Sequence, residues 1–133
     1  MAQNGVEFSV NVTGETTGET FVGKFKAKQR LSHRDKLYRD ERRRALLGTK
    51  SDEAPEWVQK YAEVFSQLDV RLIEAPSWWK DSAAGLDLED DNVIVEVYKS
   101  AMKVEEDYLV QRNAETDKAK AEVEKIAKSG EGK

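Results

Sequence analysis

Alternating apolar and polar residues at the start of the chain predict a β-hairpin over residues 5–28. In the first strand every second residue from Val6 to Val12 is apolar, so these side chains share one face. The second strand repeats the alternation, with apolar residues or glycine on one face and lysines on the other. The first set is Phe21, Gly23, Phe25 and Ala27, and the second is Lys24, Lys26 and Lys28.

A doubled Thr-Gly-Glu-Thr sequence at residues 13–20 joins the two strands. It is rich in turn-forming residues and too polar to be buried, which predicts an exposed hairpin loop. A two-stranded hairpin alone is only marginally stable in water. Its apolar face should therefore pack on the helices or on another subunit.

The first predicted helix spans residues 32–47. Ser32 suits its N-cap, and Asp35 three residues later completes a capping-box pattern and favours the positive end of the helix dipole. Gly48 suits its end, because glycine readily adopts the left-handed conformation found after helices. The apolar stripe of this helix is thin, which predicts a position on the surface.

The second predicted helix, residues 55–74, has the most regular helical pattern in the chain. Pro55 suits its first turn, and Pro76 ends it by disfavouring helical geometry in Ala75. Alternation in residues 70–74 leaves a short strand as an alternative there. The apolar residues at helical spacing are Trp57, Tyr61, Val64, Phe65, Leu68 and Leu72.

The third predicted helix covers residues 91–110, and a polar helical extension with a loose end from Lys128 follows at 111–133. The whole pattern predicts an α+β fold, mainly α. An N-terminal β-hairpin packs on a three-helix core, with a long, polar C-terminal helix, and residues 1–110 form a single globular domain. The residues expected to face inward from the third helix are Ile94, Val97, Tyr98, Ala101, Val104 and Tyr108.

The charges of the chain are unevenly distributed. The net charge is −4, yet residues 24–44 carry ten basic and three acidic residues, a balance of +7. The remainder carries twelve basic and twenty-three acidic residues, a balance of −11. A molecule with two such poles attracts charged partners, or copies of itself head to tail.

Several protein classes are excluded by composition. The chain has no cysteine, which removes disulfides, thiolate catalysis and cysteine-based zinc sites. No stretch approaches the roughly 20 apolar residues of a membrane span, and the N-terminus lacks the layout of a signal peptide. We therefore expect a soluble protein made in a cytoplasm, without a membrane partner.

Catalytic patterns are missing as well. His33 is the single histidine, and Ser32, His33 and Asp35 point in different directions at a helix start, so they cannot form a relay. The sequence contains no Gly-rich phosphate loop and no nucleophile elbow. We expect no catalytic residue, no cofactor and no enzymatic activity.

An acidic run precedes the third helix. Asp87, Glu89 and Asp91 would occupy positions one, three and five of a calcium loop, but Asn92 replaces its glycine and Tyr98 its final glutamate. We therefore expect no metal site. The run, which is Asp87, Glu89, Asp90 and Asp91, should complement the helix dipole or form an acidic contact surface.

Two groups of residues are predicted to bind a partner. Trp78 and Trp79 lie between a helix break and a loop, and adjacent tryptophans cannot easily both face inward. One should belong to the core, and the other should anchor a partner. The second group is a row of arginines in the first helix, namely Arg39, Arg42, Arg43 and Arg44.

The arginine row is open to three interpretations. It suits contact with an acidic protein surface, a solvated face, or nucleic acid together with Arg30 and Arg34. Asp35, Asp40 and Glu41 interrupt the row and the whole protein is acidic, which disfavours nucleic acid.

Four blocks of sequence carry a resemblance to a known class of proteins. They are Gly23-Lys-Phe-Lys-Ala-Lys-Gln-Arg-Leu-Ser-His-Arg34, Asp40-Glu-Arg-Arg-Arg-Ala-Leu-Leu-Gly48, Ala75-Pro-Ser-Trp-Trp-Lys80 and Gly85-Leu-Asp-Leu-Glu-Asp-Asp-Asn-Val93. In order and spacing, over roughly residues 20–110, the chain resembles small proteins encoded in structural modules of tailed bacteriophages, some of which are tail assembly chaperones.

The resemblance implies a non-enzymatic role in phage morphogenesis. A tail assembly chaperone coats the tape-measure protein in the host cytoplasm, and an amphipathic helix such as residues 57–72 suits a helical client. The first alternative is a permanent virion component, a head decoration, connector or tail protein that contacts tail or capsid subunits and its own copies. The second alternative is a small nucleic-acid-binding accessory protein.

Overall fold

A computed structural model describes residues 4–48 and 53–131 of the chain, with side chains as far as Lys125. Its architecture is α+β and mainly α, as the hydrophobic pattern predicts. The strands are β1 (Gly5–Thr13), β2 (Thr20–Lys28) and β3 (Leu72–Glu74), and the helices are α1 (His33–Leu47), α2 (Glu56–Arg71), α3 (Ser77–Lys80) and α4 (Asp91–Glu131).

The sheet is antiparallel and has β2 as its middle strand. β1 pairs with β2 in a register that places Phe8 opposite Phe25, and the two rings stack with centroids 5.2 Å apart. β3 pairs with the other edge of β2, where Leu72 lies opposite Ala27. The predicted hairpin is therefore present and gains a third, short strand.

The second helix is shorter than the predicted residues 55–74. It ends at Arg71, and residues 72–74 form β3, the alternative that the alternation at 70–74 left open. Without β3 the backbone N–H and C=O groups on this edge of β2 would lack hydrogen-bond partners within the sheet. Pairing with β3 provides partners for some of them. The pairing replaces the last turn of a helix that Pro76 would have ended within a few residues.

The core lies between the apolar face of the sheet and the helices α2 and α4. Phe25, Leu68, Val97 and Trp79 are all buried there, and the ring of Phe25 meets that of Trp79 edge-on at 5.7 Å. Burial of such large side chains stabilises the fold by about 2 kcal/mol each. In contrast, α1 buries no residue, which confirms the surface position that its thin apolar stripe predicts.

α1 begins and ends where the sequence predicts. The Ser32 hydroxyl accepts a hydrogen bond from the Asp35 N–H at 3.1 Å, and the Asp35 carboxylate accepts one from the Ser32 N–H at 3.0 Å. Asp35 also accepts a hydrogen bond from Lys28 Nζ at 2.9 Å, which lowers the pKa of its carboxyl group. Gly48 ends the helix with a φ of 86°.

α4 is one uninterrupted helix of 41 residues, with no break at the predicted boundary of 110. Residues 128–131, expected in a loose end, are helical, because no proline interrupts the chain after Asp91 and Gly130 alone does not end the helix. The last two residues of that end lie outside the described ones. From Leu109 to Lys125 the side chains are exposed, as a polar extension requires.

Within the described ranges, no helix has the length and apolar character needed to cross a membrane.

The hairpin loop at residues 13–20 is exposed except at Gly14, and the start of α4 anchors it. Asp90, with 1% of its surface exposed, accepts hydrogen bonds from the N–H groups of Thr16 and Thr17 at 2.6 and 2.9 Å. Its second oxygen accepts one from the Thr17 hydroxyl at 2.7 Å, and this contact lowers the pKa of Asp90. Asn92 binds two further backbone groups of the loop.

At Asp90 the anchoring excludes one of the two roles predicted for the acidic run, the acidic contact surface. Asp90 is not part of an acidic contact surface, because both oxygens of its carboxylate accept hydrogen bonds from the loop. Without Asp90 these donors would lack partners. Its neighbours Asp87, Glu89 and Asp91 are exposed. Only these three can meet a partner.

Candidate protein-binding surface

A row of three aromatic residues on α2 leads from the core to the surface. Phe65 is buried, Tyr61 packs on it with centroids 6.3 Å apart, and Trp57 meets Tyr61 edge-on at 6.0 Å. Their spacing of four residues places them on one face of the helix. The indole of Trp57 is 65% exposed, although burying a tryptophan stabilises a fold more than burying most other side chains.

Two adjoining cavities, of about 350 and 230 Å³, lie between this row and the start of α4. Both are lined by Trp57, Tyr61, Asp91 and Ile94. We call the surface that they form the aromatic groove. Its outer walls add the side chains of Leu46, Leu86, Leu88, Val64 and Val95.

A hydrogen bond fixes the position of Tyr61 in the groove. Its hydroxyl donates to Asp91 Oδ1 at 2.9 Å, and this bond raises the pKa of the hydroxyl. The bond therefore holds the Tyr61 ring in one orientation, and the phenol proton lies in the hydrogen bond to Asp91. A side chain that is ordered before binding loses less conformational entropy when a partner covers it.

The aromatic groove has a mostly apolar lining with two charged side chains. Asp91 lines both cavities, and Lys60 lines one of them. Asp87 and Glu56 are exposed sequence neighbours of lining residues but line neither cavity. The charge of the lining itself is therefore balanced.

The two predicted tryptophan anchors lie elsewhere and are largely inside the protein. Trp79 is 3% exposed, so it is the core member of the pair and cannot contact a partner. Trp78 is half-buried, because its Nε1 donates to the Val22 carbonyl at 3.0 Å and its ring packs on Phe21 and Phe25. The prediction that one tryptophan belongs to the core is confirmed, and the other mainly secures α3 to the sheet.

The predicted arginine row is split among different partners. Arg42 Nε donates to Asp69 at 2.6 Å, which ties α1 to α2. Arg43 and Arg44 pair with Asp40 of their own helix at 3.3 and 2.7 Å. Arg39 makes no ion pair among the described residues and lines a different cavity. The row therefore does not form one continuous basic surface, and no described contact joins it to the tryptophans.

The amphipathic helix that the sequence predicts, and that residues 57–72 offer to a helical client, includes both exposed aromatic residues of the groove. Helical spacing does not show that Trp57 and Tyr61 stay exposed while Phe65 and Leu68 are buried. Within the described residues, no group of acidic and histidine side chains is arranged to hold a metal ion. Comparisons with family models, curated proteins and solved structures give no match to this chain.

Proposed function

We propose that this protein binds other proteins through the aromatic groove and catalyses no reaction. The observation that carries the proposal is Trp57, a large aromatic side chain that is 65% exposed at the edge of a lined cavity. Tryptophan and tyrosine contribute more than most residues to the free energy of protein association. A tryptophan next to an oriented Tyr61 therefore supports an interface.

The expected occupant is an amphipathic helix with basic residues beside its apolar face. The groove runs between two helices, which is the arrangement in which a third helix packs its side chains between theirs. Asp91, the carboxylate that lines both cavities, would attract lysine or arginine on the flank of the incoming helix.

In a phage, this activity suits a tail assembly chaperone-like factor. The client would be the tape-measure protein, whose long helices present apolar stripes, and binding would take place in the host cytoplasm during assembly. The exposed α4 extension supports the alternative, a permanent virion component that reaches neighbouring tail or capsid subunits. The third role, nucleic-acid binding, is less well supported because Arg42, Arg43 and Arg44 are already paired.

Replacing Trp57 with alanine should weaken binding of a synthetic amphipathic helical peptide made of leucine and lysine. Because a buried interface tryptophan typically contributes about 2 kcal/mol, we expect an affinity loss of about thirtyfold. Isothermal titration calorimetry with the full chain measures it.

The matched control is Tyr38→Ala, which removes an exposed aromatic side chain of α1 outside the groove. Its affinity for the peptide should stay within about twofold of the unchanged protein. Equal losses in Trp57→Ala and Tyr38→Ala would mean that the peptide binds by general hydrophobic adsorption, and the groove proposal would be abandoned.

Quantitative mass spectrometry of purified particles, beside a lysate of infected cells, separates the two phage roles. A chaperone-like factor should be abundant in the lysate and absent from the particle. A fixed number of copies for each major capsid protein would instead make it a virion component. The number of copies in the particle distinguishes the two roles even if the groove binds a helix in each of them.

A further inference from the structure

We infer that a third cavity of this protein, apart from the two of the aromatic groove, binds a short acidic segment of a partner protein. Arg30, Lys36, Arg39 and Arg71 line a cavity of about 350 Å³, with Glu105 as the carboxylate among its lining residues. Arg30 lies just after β2, Lys36 and Arg39 belong to α1, Arg71 ends α2, and α4 supplies the carboxylate. We call the site the basic cavity. It shares no lining residue with the aromatic groove.

The deepest cation of the basic cavity is neutralised within the protein. Arg71 has 3% of its side chain exposed, donates from Nε to Gln67 at 2.9 Å and pairs through Nη1 with Glu105 at 2.5 Å. It forms a fixed positive floor. Its charge is balanced by Glu105, so the net charge of the lining comes from the three cations nearer the opening.

Those three cations differ in how firmly they are held. Arg30 is oriented, because its Nε donates to Asn4 at 3.3 Å and its guanidinium lies 5.6 Å from the centre of the Tyr108 ring. Lys36 and Arg39 make no side-chain hydrogen bond or ion pair among the described residues. Their charges remain available for a ligand, in contrast to Arg42 and Arg44 of the same helix, which carboxylates of the protein neutralise.

Carboxylates are the ligand chemistry that this cavity fits. A guanidinium binds a carboxylate through two parallel hydrogen bonds, and three cations around one opening can take more than one carboxylate. Leu31, Tyr108 and Leu109 add apolar surface for an aliphatic side chain between the acids. Nucleic acid fits less well, since phosphates follow one another along a strand and need a row of cations, which the pairing of Arg44 interrupts.

Replacing Arg39 with glutamine should weaken binding of the peptide acetyl-Glu-Asp-Leu-Glu-Asp-amide to the full chain by about tenfold, the effect of losing one charged hydrogen-bonding partner. Titration followed by nitrogen–proton NMR spectra measures the affinity and maps the site. Arg44→Gln makes the same change of charge on the same helix outside the cavity, and it should alter the affinity less than about twofold.

A second variant changes the affinity in the opposite direction. Glu105→Gln removes the carboxylate of the cavity while keeping its shape, so it should bind the acidic peptide more tightly, and a weaker complex would count against the site. Equal losses for Arg39→Gln and Arg44→Gln would overturn the proposal in favour of a diffuse charge effect. Tighter, Arg39-dependent binding of a thymidine decanucleotide than of the peptide would overturn it in favour of nucleic acid.

Discussion

Replacing Glu105 with alanine is expected to lower the free energy of unfolding by about 3 kcal/mol, because it leaves the buried Arg71 without its counter-charge. The side chain of Arg71 is 3% exposed, so the water that reaches it from the basic cavity replaces the lost carboxylate only in part. Removing one member of a buried ion pair costs about 3–5 kcal/mol, and the 28% exposure of Glu105 puts the expectation near the lower limit. Urea unfolding followed by circular dichroism measures it.

The reverse variant, Arg71→Met, should cost less, about 1–2 kcal/mol. The methionine fills much of the space of the arginine stem, and Glu105 is exposed enough for water to hydrate it. The remaining cost is the buried amide oxygen of Gln67, which loses the donor that Arg71 Nε provides at 2.9 Å. If Arg71→Met lowered the free energy of unfolding more than Glu105→Ala does, the unpaired buried charge would not be the main cause of the loss in Glu105→Ala.

The sequence predicts those parts of the fold that depend on local pattern. The hairpin follows from strict alternation, and α1 has unambiguous signals at both ends, Ser32 with Asp35 at its start and Gly48 at its end. The end of α2 is less predictable, since residues 72–74 suit either helix or strand. Their conformation depends on pairing with β2, about fifty residues earlier in the chain.

The full outlines of the two proposed binding surfaces could not be predicted from the sequence, for a different reason in each case. For the aromatic groove, helical spacing shows that Trp57 and Phe65 share a face, but it cannot show where the core ends along that face. For the basic cavity, the composition of residues 24–44 shows an excess of positive charge without showing which cations find partners. Asp69 neutralises Arg42 from another helix, and only the tertiary structure shows that Arg39 has no such partner among residues 4–48 and 53–125.

Both surfaces depend on α2, which reaches from one to the other. Its first turns carry Trp57 and Tyr61 into the aromatic groove, its middle buries Phe65 and Leu68 in the core, and its last residue, Arg71, forms the floor of the basic cavity. The two sites would bind opposite chemistry, a basic amphipathic helix and an acidic segment. A protein with two such sites could hold two different partners together, or bind two regions of one long client.

Replacing Gly14 with alanine should destabilise the protein by about 1–3 kcal/mol, because the added methyl group would overlap the carboxylate of Asp90. A rotation of Asp90 to avoid the overlap would break its hydrogen bonds to Thr16 and Thr17, which hold the loop on α4. Thermal unfolding measures the loss of stability. Hydrogen exchange should show faster exchange at the Thr16 and Thr17 amides.

A double-mutant cycle tests whether the loss comes from contact with Asp90. Once Asp90→Ala has shortened that side chain, the additional effect of Gly14→Ala should become small, so the two changes should not be additive. Additive effects would instead place the cost of Gly14→Ala in contacts other than the one with Asp90, because the lower backbone freedom of the unfolded chain would by itself stabilise the protein. The non-additive outcome would establish the loop and the start of α4 as one cooperative unit, which holds Asp91 and Ile94 in place at the wall of the aromatic groove.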